Sequence, residues 1–310
     1  MLFRSVRDLP RVRVEGRLEA LSINPNPGKV PDIENHRKAS TARGAGAFGQ
    51  PGTPSTRGLT RIGRFEVQSI LGSGQFATVF RASDPLEARR VAIKLLRLSS
   101  SVDTQASIVK RFEREIEILA RLQHPGLLPI LDSGHHEGHP YYVTEHVAIP
   151  DLDKRLQLRG PISAPLAYSI TCQLLDILDY LHSNKILHRD IKPANVFMLP
   201  GGQVKLVDFG LAFDPDQPQL TKTNAVLGTP AYMAIETFRD NEHSPQSDMF
   251  SVGMTILHLV SGELPPFRAR LKGRPIRISV LGLSDGDPKS MRLGQFIEQS
   301  IRTEIGRAHV

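Results

Sequence analysis

HRDIKPANV, residues 188–196, brings a histidine, an arginine, a carboxylate, a lysine and an amide into one short loop-like stretch. A DFG triplet follows at 208–210, and an apolar strand ending in lysine, VAIK, lies upstream at 91–94. Further upstream, GSGQFATV at 72–79 reads as a glycine turn between two strand patterns. Glycines there let backbone N–H groups approach anionic oxygens without side-chain obstruction. A dinucleotide-binding fingerprint is excluded, because that motif needs strand, turn and helix in sequence. Lysine, carboxylate, amide and a second carboxylate thus recur in fixed order, the set that phosphoryl transfer from a nucleotide requires.

Around these motifs the chain changes character. Alternating strand patterns begin at RFEVQSILGSG from Phe65 and continue through ATVFRASD and RVAIKLLR. IVKRFEREIEILARL has apolar residues at helical spacing with charges opposite. LLPILDSG and PYYVTEHV read as two more strands. The loop between them holds His135, His136 and His139, read as a solvated turn in preference to a metal site. After Pro150, long helical patterns take over, LAYSITCQLLDILDYLH and SDMFSVGMTILHLVSG. Strands followed by helices predict an α+β, two-lobe arrangement with a ligand cleft near residues 145–151.

Together these motifs resemble the eukaryotic-type (Hanks-type) serine/threonine protein kinases, in the wording of their bacterial branch. The resemblance runs from about Ile62 to Thr303. It implies a bilobal protein kinase fold: a small five-stranded β lobe with one regulatory helix, about 61–147, and a larger helical lobe, about 148–303, lacking its last helices. In that family Asp190 orients the substrate hydroxyl and accepts its proton, and Lys192 steadies the transferring phosphate. Asn195 and Asp208 would hold Mg²⁺, with Mn²⁺ an alternative, as oxygen ligands suited to a hard cation. Lys94, placed inward, needs an anionic partner, which ATP phosphates and a helix carboxylate would supply. Glu115 is the favoured carboxylate, with Glu113 its neighbour on a different helix face.

ATP is expected to meet Leu71, Gly72, Ser73, Gly74, Gln75, Phe76, Ala77 and Val79 of the glycine-rich loop, where Ala77 replaces the third glycine. Ala92, Thr144 as gatekeeper, Glu145, Val147, Asp151 and Phe197 complete the implied nucleotide site, with Asp151 accepting a ribose hydroxyl. The lysine of DIKPAN and Thr229 in GTPAY point to serine and threonine acceptors. Thr221 and Thr223 fall where bacterial relatives carry regulatory phosphothreonines, and Arg189 offers such a phosphate a cationic partner. The family's APE motif reads Ala234-Ile235-Glu236 here, and Asp248 matches the anchor that ties the catalytic loop to the large lobe.

The bulk numbers agree with this picture. The chain has 310 residues, 40% hydrophobic, enough for two lobes with real cores. A net charge of +7 would suit nucleic acid, but no dense Lys/Arg block with interleaved aromatics appears, so no nucleic-acid partner is expected. Cys172 is the only cysteine, so no intrachain disulfide forms. Residues 1–60 read as a basic, Pro/Gly/Ser-rich disordered segment. MLFRS at 1–5 and EIGRAHV at 304–310 match translated sequencing-adapter ends, so the native stretch is expected to run from about Val6 to Thr303. No run of apolar residues is long enough to span a membrane. The resemblance implies protein substrates, a second copy of the chain as a candidate partner for autophosphorylation, and a cytoplasmic kinase domain, with membrane tethering of the parent an open alternative. A pseudokinase, or an inactive nucleotide-binding scaffold, is the competing reading. Loss of Lys94, Asp190, Asn195 or Asp208 would favour it, and all four are present.

Overall fold

The computed structural model describes residues 58–74, 76–97, 102–209, 230–240, 242–267 and 287–302. Six antiparallel strands form the first sheet: β1 (Arg61–Ile62), β2 (Phe65–Ser73), β3 (Ala77–Asp84), β4 (Arg89–Leu96), β5 (Ile130–His136) and β6 (His139–Glu145). Their spatial order is β1-β2-β3-β4-β6-β5. Six strands stand where five were expected, because Arg61 and Ile62 fold back on Glu66 and Phe65 as a short edge strand. A two-residue strand has no periodicity to read, so it is invisible in sequence.

β3 alternates strictly, burying Thr78, Phe80, Ala82 and Asp84 while Val79 and Arg81 face the other way. β4 continues the pattern with Val91, Ile93 and Leu95. One face of the sheet therefore closes a small core from Ile62, Phe65, Phe80, Ala82, Val91, Ile93, Tyr141 and Val143. The opposite face carries Val79, Ala92 and Lys94 side by side, in the registers Val79↔Lys94 and Ala92↔Thr144. The β5–β6 turn places Glu137 and Gly138 at φ 50° and 80°, a two-residue hairpin of the twisted type.

The connection from β4 to β5 runs through α1 (Val102–Arg121). Its Phe112 and Leu119 join a second, larger core that includes Leu127, Tyr142 and the helices of the large lobe. Those helices are α2 (Leu152–Arg159), α3 (Ala164–Ser183), α4 (Ile235–Asp240), α5 (Pro245–Ser261) and α6 (Pro288–Arg302). A small hairpin, β7 (Val196–Met198) with β8 (Val204–Leu206), lies beside them. α5 is the central beam. Ser244 and Ser247 cap each other's backbone N–H at its start, Pro245 opens its first turn, and Gly262 ends it at φ 78°. It is buried on nearly all sides, as a helix apolar all round must be. Gly253 lets α6 cross closely, since a Cβ there would lie 2.8 Å from the Ser300 Cβ. The half-buried Glu236, in the first turn of α4, forms no ion pair among the described residues. No helix of the described residues is long and apolar enough to cross a membrane.

Candidate active site

The loop carrying Asp190 is held from below. Asp248, in the first turn of α5 and buried, accepts the backbone N–H of His188 and of Arg189, each at 2.9 Å. The His182 ring nitrogen lies 2.8 Å from the same carboxylate. These charge-assisted bonds hold Arg189 at φ 68°, a left-handed conformation that disfavours a long side chain. The His188 ring packs against Phe209 with centroids 4.7 Å apart. Burial keeps His188 well towards its neutral form, below the ordinary imidazole range. The chain is thereby fixed immediately before Asp190.

Asp190 is then oriented by its own neighbours. Lys192 Nζ donates to its Oδ2 at 2.7 Å, and Asn195 Nδ2 donates to the same oxygen at 2.9 Å and to the Asp190 carbonyl at 2.8 Å. One 3₁₀ turn, Pro193–Asn195, brings Asn195 back over Asp190. Asn195 spends its amide nitrogen on Asp190, so its carbonyl oxygen is the atom left for a cation. Asp208, at φ 57°, contributes a carboxylate that is 44% exposed. An amide oxygen with a carboxylate is a donor set that fits a hard divalent cation. Among the described residues no cluster of three or more His, Cys, Asp or Glu forms elsewhere as a rival metal site.

Across the cleft, Lys94 Nζ meets Glu115 Oε1 at 3.0 Å and Asp208 Oδ1 at 3.4 Å. Glu115 is only 2% exposed. Of the two candidate carboxylates on α1 it is therefore Glu115 that reaches Lys94. Glu113 turns outward to His135 at 3.5 Å. Burial pulls the Lys94 ammonium down, but the Glu115 and Asp208 carboxylates outweigh it and hold it well above the ordinary lysine range. Lys94 thus stays charged at the place where anionic oxygens would enter. Tyr142 also donates to Glu115 Oε1, at 3.1 Å. Burial, then Glu115, pushes its phenol well above the ordinary range, so the hydroxyl stays a donor.

The glycine turn is a hairpin, closed by Gly74 N–H on the Ala77 carbonyl at 2.8 Å and by Arg97, whose guanidinium donates to the Gly74 carbonyl. Gly72 and Ser73 end β2, Phe76 packs onto the larger core, and Ala77 starts β3 opposite Leu96 without breaking the pairing. Leu71 sits at a register shift in β2 and stays 41% exposed. Ala92 and Thr144 are cross-strand neighbours, and Glu145 leads out of β6 towards Val147. Asp151, expected beside the ribose, has a second role in the fold. It is the N-cap of α2, accepting Lys154 N–H at 2.8 Å, with Lys154 Nζ 3.3 Å from its other oxygen. It also bridges to Phe197 through the backbone. Gln75, Gly210, Thr221, Thr223 and Thr229 lie outside the described residues.

Sequence reading missed Tyr142, His182 and Arg64. Strand parity could have found the first, since Tyr142 and Thr144 are two apart and share a face. No local signal marks His182 as an Asp248 partner, nor Arg64 as the guanidinium that joins Asp84 to Asp132. Tyr232, whose hydroxyl lies 2.8 Å from His258 Nδ1, was equally hidden. Each of these pairs joins residues far apart in the chain.

A family model described as the protein kinase domain matches residues 65–279, more than half of the chain. The chain is 31% identical over 247 residues to the serine/threonine-protein kinase PrkC of Bacillus subtilis (strain 168), covering 79% of this chain and 37% of that protein. It is 35% identical over 213 residues to PknA of Mycobacterium tuberculosis (strain ATCC 25618 / H37Rv), covering 67% and 49%. The chain thus spans less than half the length of these curated relatives. Among solved structures, PpkA-294 in its apo form aligns at TM-score 0.65 with 24% identity, covering 78% of this chain and 90% of that one, a likeness of fold. Rad53 1-466 in complex with AMP-PNP aligns at TM-score 0.62 with 25% identity, covering 78% and 62%.

Proposed function

The chain belongs to the protein kinase family, and from that premise we propose that it transfers the γ-phosphate of ATP to serine or threonine hydroxyls of proteins. The observation that carries this reading is the pairing of two assembled half-sites. Lys94 is held charged between Glu115 and Asp208, and Asp190 is aimed by Lys192 and Asn195.

Each residue has a task that its surroundings support. Lys192 and Asn195 both occupy Oδ2 of Asp190, so Oδ1 is the oxygen free to take a proton from an incoming hydroxyl. Lys192, already beside that carboxylate, is near enough to counter negative charge as it develops on the transferred group. Lys94 presents its ammonium to phosphate oxygens, and Glu115 keeps that ammonium from drifting into solvent. In the glycine turn the Gly74 N–H is spent on the Ala77 carbonyl, so phosphate oxygens would meet other backbone N–H groups of that loop. Protein kinases generally use ATP and Mg²⁺. Here Asn195 and Asp208 would hold the metal, which when bound neutralises phosphate charge against the approaching nucleophile. Serine and threonine as acceptors, and proteins as substrates, follow from the kinship with PrkC and PknA and from the lysine of DIKPAN.

The test is transfer of labelled phosphate from Mg·ATP to the chain itself and to a basic protein acceptor, beside Asp190→Asn. The variant is expected to lose a factor of about 10²–10⁴ in rate, the usual share of a positioned base, with its thermal melting unchanged. Equal binding of Mg·ATP by both proteins with no incorporation by either would instead establish a nucleotide-binding scaffold without turnover.

A further inference from the structure

The Lys94–Glu115 pair has a third member that the kinase reading leaves without a role. Tyr142 lies directly opposite Lys94 in the β4–β6 register. Its hydroxyl donates to Glu115 Oε1 at 3.1 Å, the same oxygen that takes Lys94 Nζ at 3.0 Å. Its ring lies 5.5 Å from Lys94 Nζ and packs on Phe112, one helical turn before Glu115, with centroids 5.5 Å apart. The side chain is 5% exposed and belongs to the core that runs from α1 into the large lobe. One tyrosine therefore touches strand β4 through its lysine, and helix α1 through two residues on one face.

We propose that Tyr142 is a positioning residue for phosphoryl transfer, holding Glu115 and through it α1 so that Lys94 points at the nucleotide phosphates. The proposal rests on the kinase reading of the site. The physical reason is directional. An ion pair between two flexible side chains sets a distance but leaves the carboxylate free to turn. A second donor on the same oxygen, from a rigid ring locked in a strand, fixes its orientation. Phe112 adds a packing contact that resists rotation of α1 about its own axis. The arrangement is local to this cluster. Val143, the next residue, points into the other core, and Thr144 returns to the cleft face two residues on.

Tyr142→Phe is the sharp variant, since it removes the hydroxyl and keeps the ring on Phe112. Calorimetry would measure Mg·ATP and adenosine binding to the wild type, Tyr142→Phe, Glu115→Gln and the double variant. Tyr142→Phe is expected to weaken Mg·ATP about 10- to 150-fold, the range for losing a hydrogen bond to a charged group. Adenosine, which has no phosphates for Lys94 to meet, should bind as before. In the Glu115→Gln background the same change should add less than about twofold, because the neutral amide can still accept the hydroxyl but no longer pairs with the Lys94 charge. Equal weakening of ATP and adenosine would reduce Tyr142 to a packing residue and overturn the proposal. So would wild-type ATP affinity in Tyr142→Phe, or losses that multiply in the double variant. These outcomes are read from binding, so a wild type that binds Mg·ATP but transfers nothing would defeat the kinase reading and leave this cycle interpretable.

Discussion

The two halves of the site are built in different ways. In the large lobe, Asp190, Lys192 and Asn195 lie within six residues and orient one another through short-range bonds around a single 3₁₀ turn. In the small lobe, Lys94 and Glu115 are 21 positions apart and meet only because α1 packs against the sheet. The first is a local constellation that needs an anchor beneath it. The second is a tertiary contact that needs a helix held in place. A kinase that switches by moving α1 can do so at the second without disturbing the first, because the first is anchored on α5 and not on α1.

The anchor is where the largest effect is expected. Asp248→Ala leaves two backbone N–H groups without their acceptor in a buried site, and removes the acceptor beside His182. Stability should fall by about 3 kcal/mol, read as a lower urea midpoint, and phosphate transfer should fall with it. An unchanged midpoint would mean that the catalytic loop holds itself, and would erase the distinction between the two halves.

Acid should act on the same anchor. Burial, then the Arg189 cation, depresses His243 from 6.5 to about 4. As pH falls through 6.5 the unfolded chain takes a proton there, while the folded chain refuses it until about 4. Stability is therefore present at neutral pH and lost as pH drops across that window. The melting temperature should decline from pH 6.5 towards 4, and His243→Gln should make the decline shallower. His188, His146 and His258 are depressed with the same sign, so a slope remains. A variant with the wild-type slope would remove His243 from the account.

The smallest effect belongs to Glu113. It lies two residues before Glu115 yet pairs, among the described residues, with the exposed His135. Glu113→Ala should change unfolding free energy by no more than about 0.5 kcal/mol and leave ATP affinity alone. A loss of ATP affinity in this variant would mean that α1 can rotate to present the other carboxylate.

Much of this was legible in the residues. ATVFRASD is β3 residue for residue, because alternation of side chains on a half-buried strand leaves a period of two. HRDIKPANV and DFG were readable because their chemistry lies in residues close enough to touch without help from the fold. SDMFSVGMTILHLVSG lies within one residue of the end of α5. α2 was not read, being short and only weakly amphipathic, and so the N-cap role of Asp151 was not read either. β1 was missed because two residues have no pattern.

Asp190, Lys192, Asn195, Asp208 and Lys94 were thus singled out by sequence alone, as was a strand-rich first lobe followed by a helix-rich second one. The tertiary structure decided which carboxylate of α1 meets Lys94, that Tyr142 shares it, that His182 shares Asp248, and that Arg64 ties Asp84 to Asp132. The reason is geometric. Periodicity reports which face a side chain occupies, but the partner on that face comes from another element, and its approach is set by how the cores fill.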